Sequence, residues 1–170
     1  MRILVVFESM FGCTERIARA VAEGLGGGEV VNVDDAPEDL AGVDLLVVGG
    51  PTHVHGLSRA STRQSAAQQT KEEVRSKTGV REWLDSLGSV PKGLSAASFD
   101  TRLDKPRWLT GSAAQAATKR LKRHGFKMVM STESFFVHTG SGETELAGGE
   151  LARAHAWGEA LGAAIRRTVS

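Results

Sequence analysis

The chain has 170 residues, with 21 Lys and Arg against 20 Asp and Glu, one Cys and no Tyr. At that length a single domain spanning 1–170 is the expectation, burying roughly two-thirds of the unfolded chain's surface, so a core needs neither disulfides nor structural metal. The lone Cys13 cannot bridge internally, which suits a reducing cytoplasm, and the apolar run at residues 3–7 is too short for a secretory signal core or a membrane span of ~18 residues. A soluble, cytoplasmic globular protein with no membrane partner is predicted. The formal net charge of +1 hides a division, being −6 over residues 1–56, +9 over 57–127 and −2 over 128–170. A basic middle third can attract phosphates, anionic substrates or an acidic partner, or simply be a solvated face.

Residues 3–7 (Ile-Leu-Val-Val-Phe) form a continuous apolar run, the pattern of a strand buried on both faces of a parallel sheet. Residues 14–25 then place Ile17, Ala18, Val21, Ala22 and Leu25 at helical spacing before Gly26-Gly27-Gly28 stops the helix. Residues 29–33 read as a short second strand and 43–48 as a third, ended by Gly49-Gly50-Pro51. The polar stretch 57–78 breaks the alternation and reads as a surface insertion, partly helical and mobile, with too few apolar residues for a core. A compact helix over 80–87 holds Trp83 and Leu84. A weaker fourth strand follows at 94–99 and a fifth at 127–137, separated by a helix over 112–124 with Gly125 as its stop, and a last helix covers 149–167. Five strands alternating with helices predict a doubly wound α/β sheet.

In such a sheet the ligand sits beyond the carboxyl ends of the strands, where strand order reverses. That selects three loops: 8–13, 50–56 and 100–111. The first, Ser9-Met10-Phe11-Gly12-Cys13-Thr14, runs into a helix N-terminus. Its backbone N–H groups, the helix dipole and the hydroxyls of Ser9 and Thr14 would suit a phosphate, with Gly12 allowing close approach. The plainer alternative is that Ser9 and Thr14 merely cap the helix. A second anion site is conceivable at Gly111-Ser112-Ala113, where simple capping is the alternative.

These residues resemble the flavodoxin family, whose phosphate loop after strand one follows Ser/Thr-x-Thr-Gly-x-Thr. Ser9, Gly12 and Thr14 match that pattern, and Phe11 stands where a hydroxyl residue is usual. Gly-Gly-Pro-Thr after strand three and a fourth-strand loop of the expected size extend the similarity over most of the chain. The resemblance implies a five-stranded parallel sheet of order 2-1-3-4-5 and an FMN cofactor, its phosphate in the first loop and its ring between the other two. The ring candidates are Pro51, Thr52, His53, Val54, His55 and Gly56 on one side and Phe99, Asp100, Thr101, Arg102 and Trp108 on the other. Family members usually stack a Tyr or Trp on the ring, so Trp108, His53 or His55 would serve here; Trp108 as core filler is the competing reading.

Other constellations are weaker. Cys13 and Arg19 have a phosphatase-like spacing, but the residues between them have helical periodicity rather than the makings of an anion loop. His53 and His55 lack nearby Cys or carboxylate partners for a metal, and the basic helix end at 119–124 suits its own dipole without indicating nucleic acid. The expected function is an FMN-binding redox protein, acting in electron transfer or in NAD(P)H-linked reduction of a quinone-like acceptor, with an unidentified redox partner or small-molecule acceptor. The alternative is a binding or regulatory module of the same fold with little or no flavin.

Overall fold

All five residues of β1 (Ile3–Phe7) are buried, as a strand covered on both faces requires. The computed structural model describes residues 1–52, 57–69 (backbone only for 65–69), 76, 78–140 and 143–170. β1 pairs in parallel with β2 (Glu29–Asn32) on one side and β3 (Leu45–Pro51) on the other, and β3 pairs with β4 (Ser95–Leu103). Beyond β4 the expected fifth strand is interrupted. β5 (Lys127–Met128) and β6 (Glu133–Gly140) both pair in parallel with β4, and β7 (Glu143–Leu146) turns back antiparallel on β6. The pairs Ala96↔Met128 and Phe99↔Glu133 leave two residues on β4 opposite four. The surplus at 129–132 is accommodated like a bulge, which releases one ladder and starts another. The order is β2-β1-β3-β4-β6-β7, the expected 2-1-3-4-5 arrangement with an added antiparallel edge.

Side chains alternate across the strands. Leu4, Val6, Leu46 and Val48 pack with Val80, Trp83 and Leu84 of α3 (Val80–Ser86) and with Ala117 and Leu121 of α5 (Ala113–Arg123). Val5, Phe7, Val47 and Phe99 face α1 (Cys13–Gly24) and α6 (Glu150–Val169), meeting Ile17, Val21, Trp157 and Leu161. On that face the rings of Phe99, Phe135 and Trp157 meet edge to face at 5.9–6.1 Å. The two helices approach closely because both present glycine: a Cβ on Gly24 would lie 2.0 Å from the His155 carbonyl oxygen, and one on Gly158 2.2 Å from that of Val21.

The 57–78 stretch is not purely superficial. Its helix, α2 (Ala60–Gln69), is polar, but Leu57 joins the core beside Val80, and Ser58 and Ser76 are fully buried. Arg63 ties α2 to α3 through a 2.6 Å ion pair with Glu82. A polar segment is held here by a few buried anchors rather than by an apolar stripe.

Candidate functional site

The carboxyl ends of the strands bring together three helix starts, and the chain treats them differently. Glu8, immediately after β1, accepts a hydrogen bond from the Val80 N–H at the start of α3 (2.9 Å). Burial, the largest influence, pushes its carboxyl above the usual carboxylate range, against the lowering effects of Ser58, the Val80 amide and the Arg63 charge. Asp100, on β4, closes the start of α5: its Oδ2 accepts from Ser112 Oγ (2.7 Å), Ala114 N–H (3.0 Å) and Thr52 Oγ1 (3.3 Å). Thr52 Oγ1 accepts from Ala113 N–H (3.1 Å), and Ser112 Oγ from Gln115 N–H (3.3 Å). The suggested anion site at 111–113 is thus filled from within by a carboxyl group and two hydroxyls.

The start of α1 is different. Its N-cap is Gly12, in the left-handed region (φ 97), and no side chain caps the helix. The loop before it is nonetheless firmly held. Ser9 Oγ accepts the Gly12 N–H (2.9 Å) and the Thr14 and Thr101 hydroxyls are 2.8 Å apart. Ser9 keeps its own hydroxyl hydrogen, and so does whichever threonine acts as acceptor in that pair. Among the described residues, the N–H groups of Met10, Phe11 and Thr14 have no hydrogen-bond acceptor. From the other side the β6–β7 hairpin reaches over, and the Cys13 thiol donates to the Thr144 carbonyl at 3.4 Å.

A cavity of about 190 Å³ opens here, lined by Ser9, Met10, Phe11, Cys13 and Thr14, by Pro51 and Thr52, by Thr101, Arg102 and Leu103, and by Val137, Thr139 and Thr144. It unites nine of the residues expected from sequence. Gly12 shapes the loop without lining the cavity, Phe99 lies in the aromatic core at 1% exposure, and Asp100 is occupied at α5. Trp108, on the short α4 (Arg107–Thr110), is 80% exposed and outside the lining, which overturns the core-filler reading. His53, Val54, His55 and Gly56 fall outside the described residues. Leu103 belongs to the third selected loop without being among its named candidates, whereas Val137, Thr139 and Thr144 lie outside all three loops; the two-residue period of β6, continued past Val137, is the signal that leads to Thr139. Arg102 is nearly buried, donates to the Lys105 carbonyl (2.6 Å) and stacks its guanidinium 5.0 Å from the Phe136 ring centroid; its Nε has no partner among the described residues.

An open doubly wound sheet with a cavity at the reversal between β1 and β3, beside a helix start, is the arrangement in which α/β proteins hold phosphate-bearing ligands, flavodoxin itself being a standard instance. Residues 5–103 match the sequence model of the flavodoxin family, more than half the chain, and the chain belongs to that family. The family's cofactor, FMN, is the cofactor of this chain. Similar solved structures include a flavodoxin from the domain Archaea (15% identity, TM-score 0.67, covering 98% of this chain and 99% of that one) and oxidised flavodoxin 1 from Bacillus cereus (17%, 0.66, all of both chains). A flavodoxin, WrbA-like protein from Agrobacterium tumefaciens is also similar (19%, 0.62, 98% of both). These likenesses show the fold. A comparison with curated proteins finds no match. Among the described residues no helix is long and apolar enough to cross a membrane.

Proposed function

We propose that this chain is a single-domain FMN-dependent oxidoreductase delivering two electrons to a quinone-like acceptor. The observation that carries the cofactor part of the reading is the contrast among helix starts: a carboxyl group accepts from the Val80 amide at α3 and from the Ala114 amide at α5, while at α1, beside the cavity, the Met10, Phe11 and Thr14 amides have no acceptor among the described residues. The donor set there suits a phosphate dianion. The Met10, Phe11 and Thr14 amides, the Ser9 hydroxyl and the spare hydrogen of the Thr14–Thr101 pair would hold it, aided by the α1 dipole. When bound, FMN supplies the electron-carrying ring.

At the ring end this chain's residues do two things. Pro51, Leu103 and Val137 give apolar wall that excludes water. Arg102 places a largely desolvated positive charge in the lining, which stabilises negative charge gathering nearby. That favours full two-electron reduction, in contrast to an acidic site. The third loop adds exposed Lys105 and Arg107 against one exposed carboxylate, Asp104, a positive balance suited to an anionic donor such as NAD(P)H.

The test is direct. Purified protein titrated with FMN should quench flavin fluorescence, and NADPH oxidation should depend on added benzoquinone in the FMN-loaded protein. FMN binding without quinone-dependent NAD(P)H oxidation would leave an electron carrier instead. Absence of FMN binding would overturn the reading altogether.

A further inference from the structure

The Ser9–Thr14 loop is clamped by a residue far outside the strand–loop–helix unit that contains it. Ser76, 67 positions along the chain and fully buried, accepts the Ser9 N–H on its Oγ (2.9 Å), and its own N–H donates to the Ser9 carbonyl (3.0 Å). Its hydroxyl hydrogen goes to Asn32 Oδ1 at the end of β2 (3.1 Å), which also accepts the Asp34 N–H (3.0 Å). Asp34 Oδ1 in turn takes the Thr78 N–H (2.6 Å). Ser76 is therefore fixed from both sides of the chain and grips both polar groups of the Ser9 backbone.

That grip determines where the loop's donors point. In a trans peptide the N–H lies antiparallel to the C=O of the preceding residue. With the Ser9 carbonyl turned to Ser76, the Met10 N–H is turned to the opposite side of the loop, where it has no acceptor among the described residues. Convergence of such amides is what makes a loop bind an anion.

We propose that Ser76 is a positioning residue for the cofactor's phosphate, holding the Ser9–Met10 peptide in the orientation that presents the loop amides. This deepens, and rests on, the assignment of the phosphate to residues 9–14. Without the Ser76 hydroxyl, the Ser9 N–H loses its acceptor and Ser76 loses its tie to Asn32; the backbone N–H that holds the Ser9 carbonyl is then no longer fixed in place, and the Ser9–Met10 peptide is loosened with it, with no change in the walls that face the ring.

The test compares FMN with riboflavin, which shares the ring but lacks the phosphate, by fluorescence quenching on the full chain. Wild type should prefer FMN strongly. Ser76→Ala should bind FMN about tenfold more weakly, the scale of one buried hydrogen bond, and riboflavin unchanged, while Ser76→Thr, which keeps the hydroxyl, should restore the preference. Equal loss for both ligands, or no loss, overturns the inference. Should Ser76→Ala not fold, Asn32→Ala carries the same test, since it unfastens Ser76 without removing it: a selective loss for FMN supports the inference and an equal or absent loss overturns it. A wild type without preference for FMN over riboflavin would instead remove the phosphate assignment itself.

Discussion

The starts of α1 and α5 lie at the same edge of the sheet, yet one is closed and the other is not. At α5 the Ala113, Ala114 and Gln115 amides are met by Thr52, Asp100 and Ser112. At α1 a left-handed glycine replaces the capping side chain, and the Thr14 amide has no acceptor among the described residues. Because orphan first-turn amides are costly when buried, a chain that caps one helix so fully and leaves the other without a side-chain cap marks the second as a place for something it does not itself supply. Asp100 bears on the proposed phosphate site as well: with the Ala113, Ala114 and Gln115 amides already met, the start of α5 has none of them to offer an anion.

The largest expected effect comes from breaking the closed end. Asp100→Ala leaves the Ala114 amide and the Ser112 hydroxyl without their buried acceptor, and urea unfolding should show a loss of about 3 kcal/mol. FMN affinity of the protein that remains folded should hardly move; a loss of stability under ~1 kcal/mol would mean that water replaces the carboxyl readily and that the two helix starts differ little in energy.

The open end is next. Gly12→Ala forces a side chain into φ 97, costing about 1–2 kcal/mol of stability, and it should weaken FMN binding while leaving the α5 end untouched. Unfolding and FMN titration of the same preparation separate the two effects, and an unchanged FMN affinity would contradict the role given to the loop.

Glu8 sharpens the comparison through pH. Its folded pKa lies above the ordinary value of 4.5, so the protonated carboxyl is the form that folding favours. Its influence on stability should be most favourable below that ordinary value, decline as pH rises from there through the raised pKa, and level off above it. In Glu8→Gln, which keeps the acceptor for Val80, this part of the slope should vanish in denaturation curves taken across that range; an identical slope would assign the dependence to other groups. Smallest of all is Trp108→Ala. An indole 80% exposed and outside the cavity lining should cost no more than ~0.5 kcal/mol and leave FMN affinity within error, whereas a large fall in affinity would bring Trp108 to the flavin after all.

Much of this was legible in the sequence because the residues concerned act locally. The apolar runs of β1 and β3 and the periodicity of α1, α5 and α6 depend on near neighbours, and so does the glycine before α1. What was hidden depends on distant partners. β4 continues through polar Asp100, Thr101 and Arg102 because α5 donates to the first, Thr14 of α1 bonds the second, and the third lies against Phe136 and donates to the Lys105 carbonyl, which composition alone argues against. β7, Glu-Thr-Glu-Leu, has no apolar run and forms as the return strand of a hairpin whose ladder β6 supplies. Ser76 lies in a segment whose polarity suggests surface, yet it is buried by three hydrogen bonds to residues more than forty positions away.

The three tryptophans provide optical reporters of different layers. Trp83 is buried on the α3–α5 side, its indole N–H donating to the Pro37 carbonyl (3.1 Å), Trp157 is buried in the aromatic cluster on the α1–α6 side, and Trp108 stands in solvent. With Trp108 removed, emission comes only from one indole on each face of the sheet. Replacing either remaining one by phenylalanine then lets each layer be followed separately, and coincident transitions would establish that both faces of the sheet unfold as one cooperative unit.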